Sequence, residues 1–463
     1  MPDRKPLGAL DRSFLAAESR DVMMHVGALL ELTSPPGTKP GDLSRQLREE
    51  LAGQRHKETQ RPWNLKLLHP DLLANPLQAW VEDETFELEY HVRRSALPSP
   101  GDERELGILV SRLHSQPLDF HRPPWEAHFI EGLDRDRIAI YFKVHHALID
   151  GYTGMRILTQ SLSTSEGERD TPMFYDLPPV DANARRDEHH PPTFEALVRL
   201  VREQAGATKD VGRALMNVVR AVRHPELDLV APLSAPKSIL NERITRSRRI
   251  ATQRVPIERV KRVAAASGGT VNDVVLAVCG SALRRFLSEQ GALPDKPLVA
   301  MVPVNVRPKD DPGGRGNAIG AILASMATDV QDPLERLAKV IASTRRAKEQ
   351  LQGMSKSAIM QYSALVLAPM MLSFVPGAAG RLRPAFNVVV SNVPGPEAPL
   401  YLRGFRLDAS YPLSIPFHGY ALNITVQSYA GSLGFGFTGC RDTLPHLQRL
   451  AVYSGEALEE LDR

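Results

Sequence analysis

The stretch that decides the fold runs from Arg137 to Gly154 and reads RIAIYFKVHHALIDGYTG. Its first eight residues, RIAIYFKV, are rich in β-branched and aromatic side chains and predict a strand. The strand ends at two adjacent histidines, His145 and His146. Because successive side chains of a strand point to opposite faces, we expect one histidine to face a cleft and the other to pack or to orient it.

The residues after the histidines predict a sharp turn. Asp150 follows His146 at the spacing HxxxD, and Gly151 comes next. An Asp-Gly pair turns the chain, and glycine adopts backbone conformations that other residues resist. We therefore expect Asp150 to fold back beneath the two histidines.

Strand and helix patterns alternate on both sides of this stretch. Strand signals cover residues 24–32 and 125–133, and apolar residues at helical spacing cover 104–115. The polar turn LDRDR at 133–137 predicts a hairpin that leads into the strand before the histidines. A helical pattern resumes after Tyr152.

The second half repeats this mixture of strand and helix, and it has no fixed short repeat. We expect a strand followed by a helix within 248–270 and apolar strands at 297–307 and 385–396. A hairpin that turns at Ala-Gly-Ser is expected within 421–439, and a last helix within 444–461.

A change in composition divides the chain. Residues 163–192 are rich in Pro, Asp, Glu, Arg and Ser, which is typical of an exposed linker. We therefore expect an N-terminal lobe over 1–162, a linker with helices over 163–240 and a C-terminal lobe over 241–463. The expected fold class is α/β (α+β), with two lobes that each contain a mixed sheet and packed helices. Two such lobes facing each other would form a cleft or tunnel, where ligand sites are common.

Composition and charge exclude several classes of protein. The 463 residues carry 57 Lys+Arg against 54 Asp+Glu, and this net charge of +3 gives no electrostatic basis for binding nucleic acid. Two cysteines in so long a chain indicate neither a disulfide framework nor a zinc site, and we expect no metal. The N-terminal segment lacks the apolar core of a signal peptide, so we expect a cytoplasmic protein.

The segment from Ser357 to Gly380 contains no charged residue. It is long enough to suggest a membrane span, but Pro369 and several polar residues favour a helix that is broken at Pro369. Two interpretations stay open for this helix. It either lies on a membrane surface or packs in the protein core.

HHALIDG, at residues 145–151, matches the HHxxxDG motif of the coenzyme A-dependent acyltransferases related to chloramphenicol acetyltransferase and to peptide-synthetase condensation domains. Further motifs make the whole chain similar to the bacterial wax ester synthase/acyl-CoA:diacylglycerol acyltransferase family. These motifs are LDRSFLAAESRDVMMHVGALLEL, FELEYHVRRSALPSPGDERELGILVSRLHSQPLDFHRPPWE, TVNDVVLA, VPVNVRP, Gly316-Asn317 and NVVVSNVPGP. The resemblance implies two chloramphenicol-acetyltransferase-like lobes with the active site between them.

The resemblance implies a role for each named residue of the motif. His146 would be the general base that deprotonates an acceptor alcohol, with His145 in support. Asp150 would be structural, and Gly151 would complete the turn. A histidine, whose ordinary pKa is about 6.5, can accept the proton of a hydroxyl group that is otherwise a poor nucleophile.

Other residues also match the family, with less specific roles. Arg307 and Arg93 are candidates to pair with Asp150. Asn272 and Asp273 match an Asn-Asp motif that the family places near the catalytic centre, although an Asn at a helix start is also a common cap. The family's Pro-Leu-Trp motif stands here as Pro123-Pro124-Trp125, and its middle position departs from the pattern.

The function implied by the resemblance is transfer of a long-chain acyl group from acyl-CoA to a fatty alcohol, to diacylglycerol, or to both. Acyl-CoA is then a substrate, and no cofactor is expected. Peripheral contact with the inner membrane face or with lipid droplets would suit such substrates. Two alternatives stay open, namely another acyl or amide transferase with the HHxxxDG motif, and a lipid-binding or droplet-coating protein without catalysis. Cys279 is expected to be a buried, inert thiol.

Overall fold

The chain forms two compact units in a computed structural model that describes residues 4–53, 59–149, 151–177, 234–306, 318–354, 356–372 and 383–463. The first unit contains the described residues within Met1–Glu188, Arg248–Ile250 and Pro396–Ile415. The second unit contains those within His189–Ser247, Ala251–Gly395 and Pro416–Arg463.

The strands of the described ranges belong to a small sheet and two larger ones. They are β1 (Lys5–Pro6), β2 (His25–Thr33), β3 (Leu65–Leu67), β4 (Ala79–Glu82), β5 (Val92–Ala96), β6 (Trp125–Glu131), β7 (Arg137–His145), β8 (Arg248–Pro256), β9 (Val299–Val306), β10 (Ala318–Ser325), β11 (Val388–Val393), β12 (Tyr401–Leu402), β13 (Phe405–Leu413), β14 (Leu422–Tyr429) and β15 (Ser432–Cys440).

The helices of the same ranges are distributed over both units. They are α1 (Ala9–Ala17), α2 (Pro40–Gly53), α3 (Leu88–His91), α4 (Glu103–His114), α5 (Gly151–Gln160), α6 (Ile257–Ser267), α7 (Val271–Glu289), α8 (Pro333–Gln352), α9 (Lys356–Leu372) and α10 (Arg449–Leu461), with short 3₁₀ turns at Phe174–Asp176 and Ile239–Asn241.

The larger sheet of the first unit has the strand order β12-β13-β2-β7-β6-β5. Strand β7 lies between β2 and β6 and is antiparallel to both, while β5 runs parallel to β6. Helix α4 packs on this sheet through Leu106 and Val110, which contact a core that includes Leu29 and Tyr141. The strands and helix predicted around the histidine pair, and the hairpin before it, are therefore confirmed.

The second large sheet has the order β10-β9-β11-β14-β15-β8. Strand β11 is parallel to both β9 and β14, whereas β9–β10 and β14–β15 are antiparallel pairs. The β14–β15 turn contains Ala430 and Gly431 at positive φ, as the predicted hairpin requires. Helices α8 and α9 pack on β10, and α10 packs on α7. The two mixed sheets with packed helices confirm the expected fold class.

Strands β12 and β13 belong to the first unit's sheet, although most of the second unit precedes them in the chain. Strand β13 pairs with β2 in antiparallel register, from Arg406 opposite Thr33 to Leu413 opposite Gly27. The sequence placed these residues in the lobe over 241–463 and did not predict this return. The boundaries 1–162, 163–240 and 241–463 stay a prediction, and most of the linker lies outside the described residues.

Helix α9 corrects one expectation from the sequence. It continues through Pro369 to Leu372, so the predicted break at Pro369 is wrong. Proline removes one backbone donor, but a buried face packs on β10 and holds the helix together. That face consists of Ile359, Met360, Ser363, Val366, Leu367 and Met370.

Membrane-spanning potential among the described helices is confined to one bent pair. No single helix of those ranges is long and apolar enough to cross a membrane. Helices α6 and α7, which meet at 100°, satisfy the requirement together by length and composition only. Most of α7 is buried within the second unit.

Candidate active site

The two histidines lie where β7 ends, and neighbouring segments hold their backbone. The His145 N–H donates to the carbonyl of Pro124 at 2.9 Å, and the His146 N–H donates to the carbonyl of Met24 at 2.8 Å. Both side chains are buried, with exposed fractions of 1% and 3%. The residues just before β2 and β6, the two neighbours of β7, therefore fix the backbone position of the histidine pair.

A tight turn joins the histidines to α5. The N–H groups of Leu148 and Ile149 both donate to the His145 carbonyl, at 2.9 and 3.3 Å. Gly151 is the first residue of α5, so the predicted strand, turn and helix follow in order. Asp150 lies outside the described residues, and its place beneath the histidines stays a prediction.

The His145 ring has one hydrogen bond and one close carboxylate. Its Nδ1 accepts the N–H of Ala147 at 3.1 Å, so the proton of the neutral ring resides on Nε2. This Nε2 lies 3.4 Å from a carboxylate oxygen of Glu18. Phe120 packs edge-on against the ring, with 5.1 Å between ring centroids. Hydrogen bonding therefore selects one tautomer of His145.

The His146 ring has different surroundings. It stacks on the ring of Phe14, with centroids 4.1 Å apart and planes inclined by 30°. Phe14 belongs to α1, and Glu18 is the residue that caps the C-terminal end of the same helix. The two rings thus enter separate environments, as adjacent side chains of a strand should, yet one short helix contributes a contact to each.

A buried ionic cluster lies along β6 and β7. The Glu126 carboxylate is 3.3 Å from each of three groups, the Lys143 ammonium, the Arg93 guanidinium and the His128 imidazole. Burial alone would raise the pKa of Glu126, but its partners outweigh this effect and hold the pKa at about 2. Burial lowers the pKa of Lys143, and Glu126 opposes that shift.

This cluster was not predicted, although the sequence contains two signals of it. Lys143 interrupts the apolar run RIAIYFKV, and a cation in such a strand requires a buried anion. Glu126 and His128 are two residues apart, so they share one face of β6. The cluster ties together the strands that deliver the histidines.

A second buried polar group joins β2, β7 and the end of α4. His25 Nε2 lies 3.0 Å from the His114 carbonyl, and His114 Nδ1 lies 2.8 Å from the Tyr141 hydroxyl. Burial, with help from nearby cations, lowers the pKa of both histidines well below 6.5. These rings are therefore neutral at pH 7 and act as hydrogen-bonding parts of the core.

The Pro123-Pro124-Trp125 segment supports the site through its backbone and its indole. The Pro124 carbonyl holds His145, a contact that does not depend on the side chain at the position where the family has Leu. The Trp125 indole is fully buried and donates to the Trp63 carbonyl at 2.7 Å. The departure from the family motif therefore leaves the support of the histidine strand intact.

Asn272 and Asp273 open α7 in the second unit. The N-cap residue of this helix is Thr270, and Asp273 completes a capping box with it. The Asp273 carboxylate accepts the Thr270 N–H and hydroxyl, both at 2.8 Å, and the Thr344 hydroxyl at 2.6 Å. Asn272 is not the cap, and its side-chain oxygen lies 3.4 Å from the Asn392 amide nitrogen. The geometry gives Asp273 a structural role in the helix start.

The loop after β11 requires glycine at position 395. The Gly395 N–H donates to the Ser428 hydroxyl at 3.1 Å. A Cβ atom at this position would lie 2.2 Å from the Ser428 carbonyl oxygen, which is far inside van der Waals contact. The Pro-Gly-Pro sequence therefore shapes a loop that is pressed against the end of β14.

Other candidate groups offer little chemistry. Cys279 is fully buried, and burial raises the pKa of its thiol to about 12, which fits the predicted inert thiol. In the described ranges, no three His, Cys, Asp or Glu side chains are grouped as a metal site.

Arg93 donates to the Tyr90 carbonyl at 2.6 Å and contacts Glu126. Arg307, the other candidate partner of Asp150, lies outside the described residues.

Comparison with protein families gives two matches that cover most of the chain. Residues 7–275 match the wax ester synthase/diacylglycerol acyltransferase catalytic domain, and residues 315–462 match the C-terminal domain of the same family. A Mycobacterium tuberculosis protein that bears the name of a diacylglycerol O-acyltransferase is 51% identical over 98% of this chain and 96% of its own length. The Acinetobacter baylyi O-acyltransferase WSD is 39% identical over 98% and 96%.

Solved structures of the same family and of a related fold are also similar to this chain. The wax ester synthase/diacylglycerol acyltransferase from Marinobacter aquaeolei VT8 is 39% identical and superposes with a TM-score of 0.77 over 99% of this chain and 98% of that one. The first condensation domain of the CDA synthetase is 19% identical, with a TM-score of 0.54 over 99% and 95%. The second similarity shows a shared fold only.

Proposed function

Because this chain belongs to the wax ester synthase/diacylglycerol acyltransferase family, we propose that it transfers a long-chain acyl group from acyl-CoA to the hydroxyl of diacylglycerol or a fatty alcohol. His146 is the general base in this proposal. The observation that carries it is the fixed, buried imidazole at the end of β7, with its ring on Phe14 and its backbone bound to Met24.

The chemistry needs one base and no covalent enzyme intermediate. With both substrates bound, His146 accepts the hydroxyl proton while the alcohol oxygen attacks the thioester carbonyl carbon. The carbon–sulfur bond then breaks, an ester forms, and the coenzyme A thiolate takes the proton from His146, which leaves the thiol and the neutral imidazole. Acyl-CoA is consumed as a substrate, so the proposal includes no cofactor.

The remaining residues of the motif act through position. His145 supports the base, and Gly151 allows the turn that starts α5. The family motif implies that Asp150 completes the turn and pairs with an arginine, and we propose the same role here. Asn272 is proposed to bind substrate, whereas Asp273 holds the start of α7.

The names of related proteins favour diacylglycerol among the acceptors. The 51% identical mycobacterial relative is named for that activity, and the family's description names wax esters as well. We therefore propose that both acceptor classes are used, and a direct comparison of rates will rank them.

Release of free coenzyme A thiol from palmitoyl-CoA tests the reaction. Purified protein is assayed with dipalmitoylglycerol, with hexadecanol or without acceptor, and each assay is repeated with His146→Ala. We expect acceptor-dependent release, and a fall in kcat of about 10²–10⁴-fold in the variant, since this is the usual contribution of a general base.

The matched control is His69→Ala, which removes a histidine on the turn after β3. It should retain wild-type kcat. A folded wild-type protein that releases no thiol in response to either acceptor contradicts the proposed function. Acceptor-dependent release that survives His146→Ala contradicts the assignment of the base.

We further propose that the protein works on the cytoplasmic side, in peripheral contact with the membrane or with lipid droplets. The proposed substrates dissolve in lipid, which supports this location. Leu72 and Leu77 supply a second support, since their side chains are 58% and 77% exposed between β3 and β4. Exposed leucines on a turn can enter the interfacial region of a bilayer.

Flotation with phosphatidylcholine/phosphatidylglycerol vesicles tests this contact. The wild type should float with the vesicles, and Leu72→Ser/Leu77→Ser should float less. Leu334→Ser changes another exposed leucine, in the second unit, and serves as the control. A wild type that stays at the bottom of the gradient contradicts the membrane proposal.

A further inference from the structure

Glu18 is a buried carboxylate next to the histidine pair. It follows α1 as the C-cap residue, and its backbone N–H donates to the Phe14 carbonyl at 3.0 Å. Its side chain is 8% exposed. Burial of a carboxylate costs free energy unless hydrogen-bond donors or cations surround it. The groups that contact Glu18 therefore indicate its role.

The carboxylate of Glu18 has two partners in the site. One oxygen accepts the N–H of Met24 at 2.5 Å, and the same oxygen lies 3.4 Å from Nε2 of His145. Nδ1 of His145 accepts the Ala147 N–H, so the proton of the neutral ring is on Nε2, which lies beside the Glu18 carboxylate without a hydrogen bond to it. The Ala147 N–H therefore sets the tautomer of His145, and Glu18 supplies a negative charge beside its Nε2.

Met24 links Glu18 to the second histidine, His146. The carbonyl of Met24 accepts the N–H of His146, so Glu18 and His146 bind opposite sides of one residue. Phe14, one turn earlier in α1, covers the His146 ring. The end of α1 therefore contacts the first histidine directly and the second through Met24 and Phe14.

We propose that Glu18 is a positioning residue that sets the geometry of the His145-His146 pair. The inference rests on the proposed role of His146 as the base. Glu18 makes no contact with the reacting atoms in this scheme. It acts by placing a negative charge beside Nε2 of His145 and by holding Met24, which locates the His146 backbone.

The test is a comparison of Glu18→Gln with the wild type in the thiol-release assay. Glutamine keeps the size of the side chain, but it loses the negative charge and one of the two acceptor oxygens. We expect kcat to fall by about 10–100-fold, because displacement of a catalytic group by about 1 Å costs on this scale. The KM for palmitoyl-CoA should stay unchanged, since Glu18 is not proposed to bind substrate.

Two further variants separate positioning from general support of the fold. Glu84→Gln changes an exposed glutamate after β4 and should leave kcat, KM and the melting temperature at wild-type values. Glu18→Asp keeps the charge on a shorter side chain and should give a kcat between those of Glu18→Gln and the wild type. It also replaces Glu18→Gln as the test variant if the latter does not fold.

A double-mutant cycle with His145→Gln provides the decisive measurement. If Glu18 acts through His145, the double variant should lose little more activity than the worse single variant. Fully additive losses overturn the proposal, as does a wild-type kcat in folded Glu18→Gln. Failure of the proposed function gives a different result, since the wild type itself would then release no thiol in response to acceptor.

Discussion

Glu126 in the first unit and Asp273 in the second are both buried carboxylates, but they are held in different ways. Cationic side chains surround Glu126, namely Lys143 and Arg93, with His128 beside them. Asp273 accepts hydrogen bonds from a backbone N–H and two hydroxyl groups, all of them neutral.

The difference shows what each carboxylate does. Glu126 neutralises a lysine whose side chain is 0% exposed, so charge balance is its main task. Asp273 closes a capping box and joins α7 to Thr344 on α8, so it orders a helix terminus. The strands that carry the histidines depend on charge, whereas the start of α7 depends on neutral hydrogen bonds.

Removal of the charge at Glu126 should have the largest effect on stability. Glu126→Gln leaves Lys143 buried without its anion, and breaking a buried pair in this way costs about 3–5 kcal/mol of unfolding free energy. Urea denaturation at pH 7 measures the loss. Glu89→Gln, an exposed position on α3, is the control and should match the wild type.

The difference in stability between the wild type and Glu126→Gln should also depend on pH. The pKa of Glu126 is about 2 in the folded chain, below the ordinary value of 4.5. Its contribution is therefore complete above about pH 4.5 and is lost as the pH falls toward 2. The stability difference between the wild type and Glu126→Gln should shrink over this window. A difference that stays constant there would contradict the ionic role of Glu126.

Asp273→Asn should have a smaller effect. Asparagine keeps one acceptor oxygen but turns an NH₂ group toward donors, so the capping box is lost at a cost of about 1–2 kcal/mol. At a temperature where the variant is folded, kcat should stay near that of the wild type. A large fall in kcat without loss of stability would instead give Asp273 a role in the substrate site.

Thr344→Val should have the smallest effect of the three. It removes one neutral donor to Asp273 and leaves the two contacts from Thr270 in place. The expected loss is about 1 kcal/mol, the usual value for one hydrogen bond. A loss as large as that of Glu126→Gln would remove the distinction between the two carboxylates.

Local patterns in the sequence predicted the part of the site that is built locally. The apolar run before His145, the polar turn LDRDR and the helical pattern after Tyr152 each depend on neighbouring residues, and all three are confirmed. The catalytic roles of these residues were predicted from the family motif. They stay predictions, and the positions of the two histidines are consistent with them.

Contacts between distant segments could not be predicted in the same way. Glu18 approaches His145 only because β2 pairs with β7 and brings α1 with it. The error at Pro369 has a similar origin, since packing against β10 compensates for one lost backbone hydrogen bond. A single sequence does not reveal which strands become neighbours.

The return of β13 to the first sheet has a consequence for synthesis of the chain. Strand β13 lies between β12 and β2, yet in the chain it follows most of the second unit. One edge of β2 therefore stays unpaired while the ribosome makes most of the second unit. Unpaired strand edges are sites of aggregation, so we expect nascent chains to be prone to aggregation until β13 has been made. For the same reason, the N-terminal half should not yield a complete sheet when expressed alone.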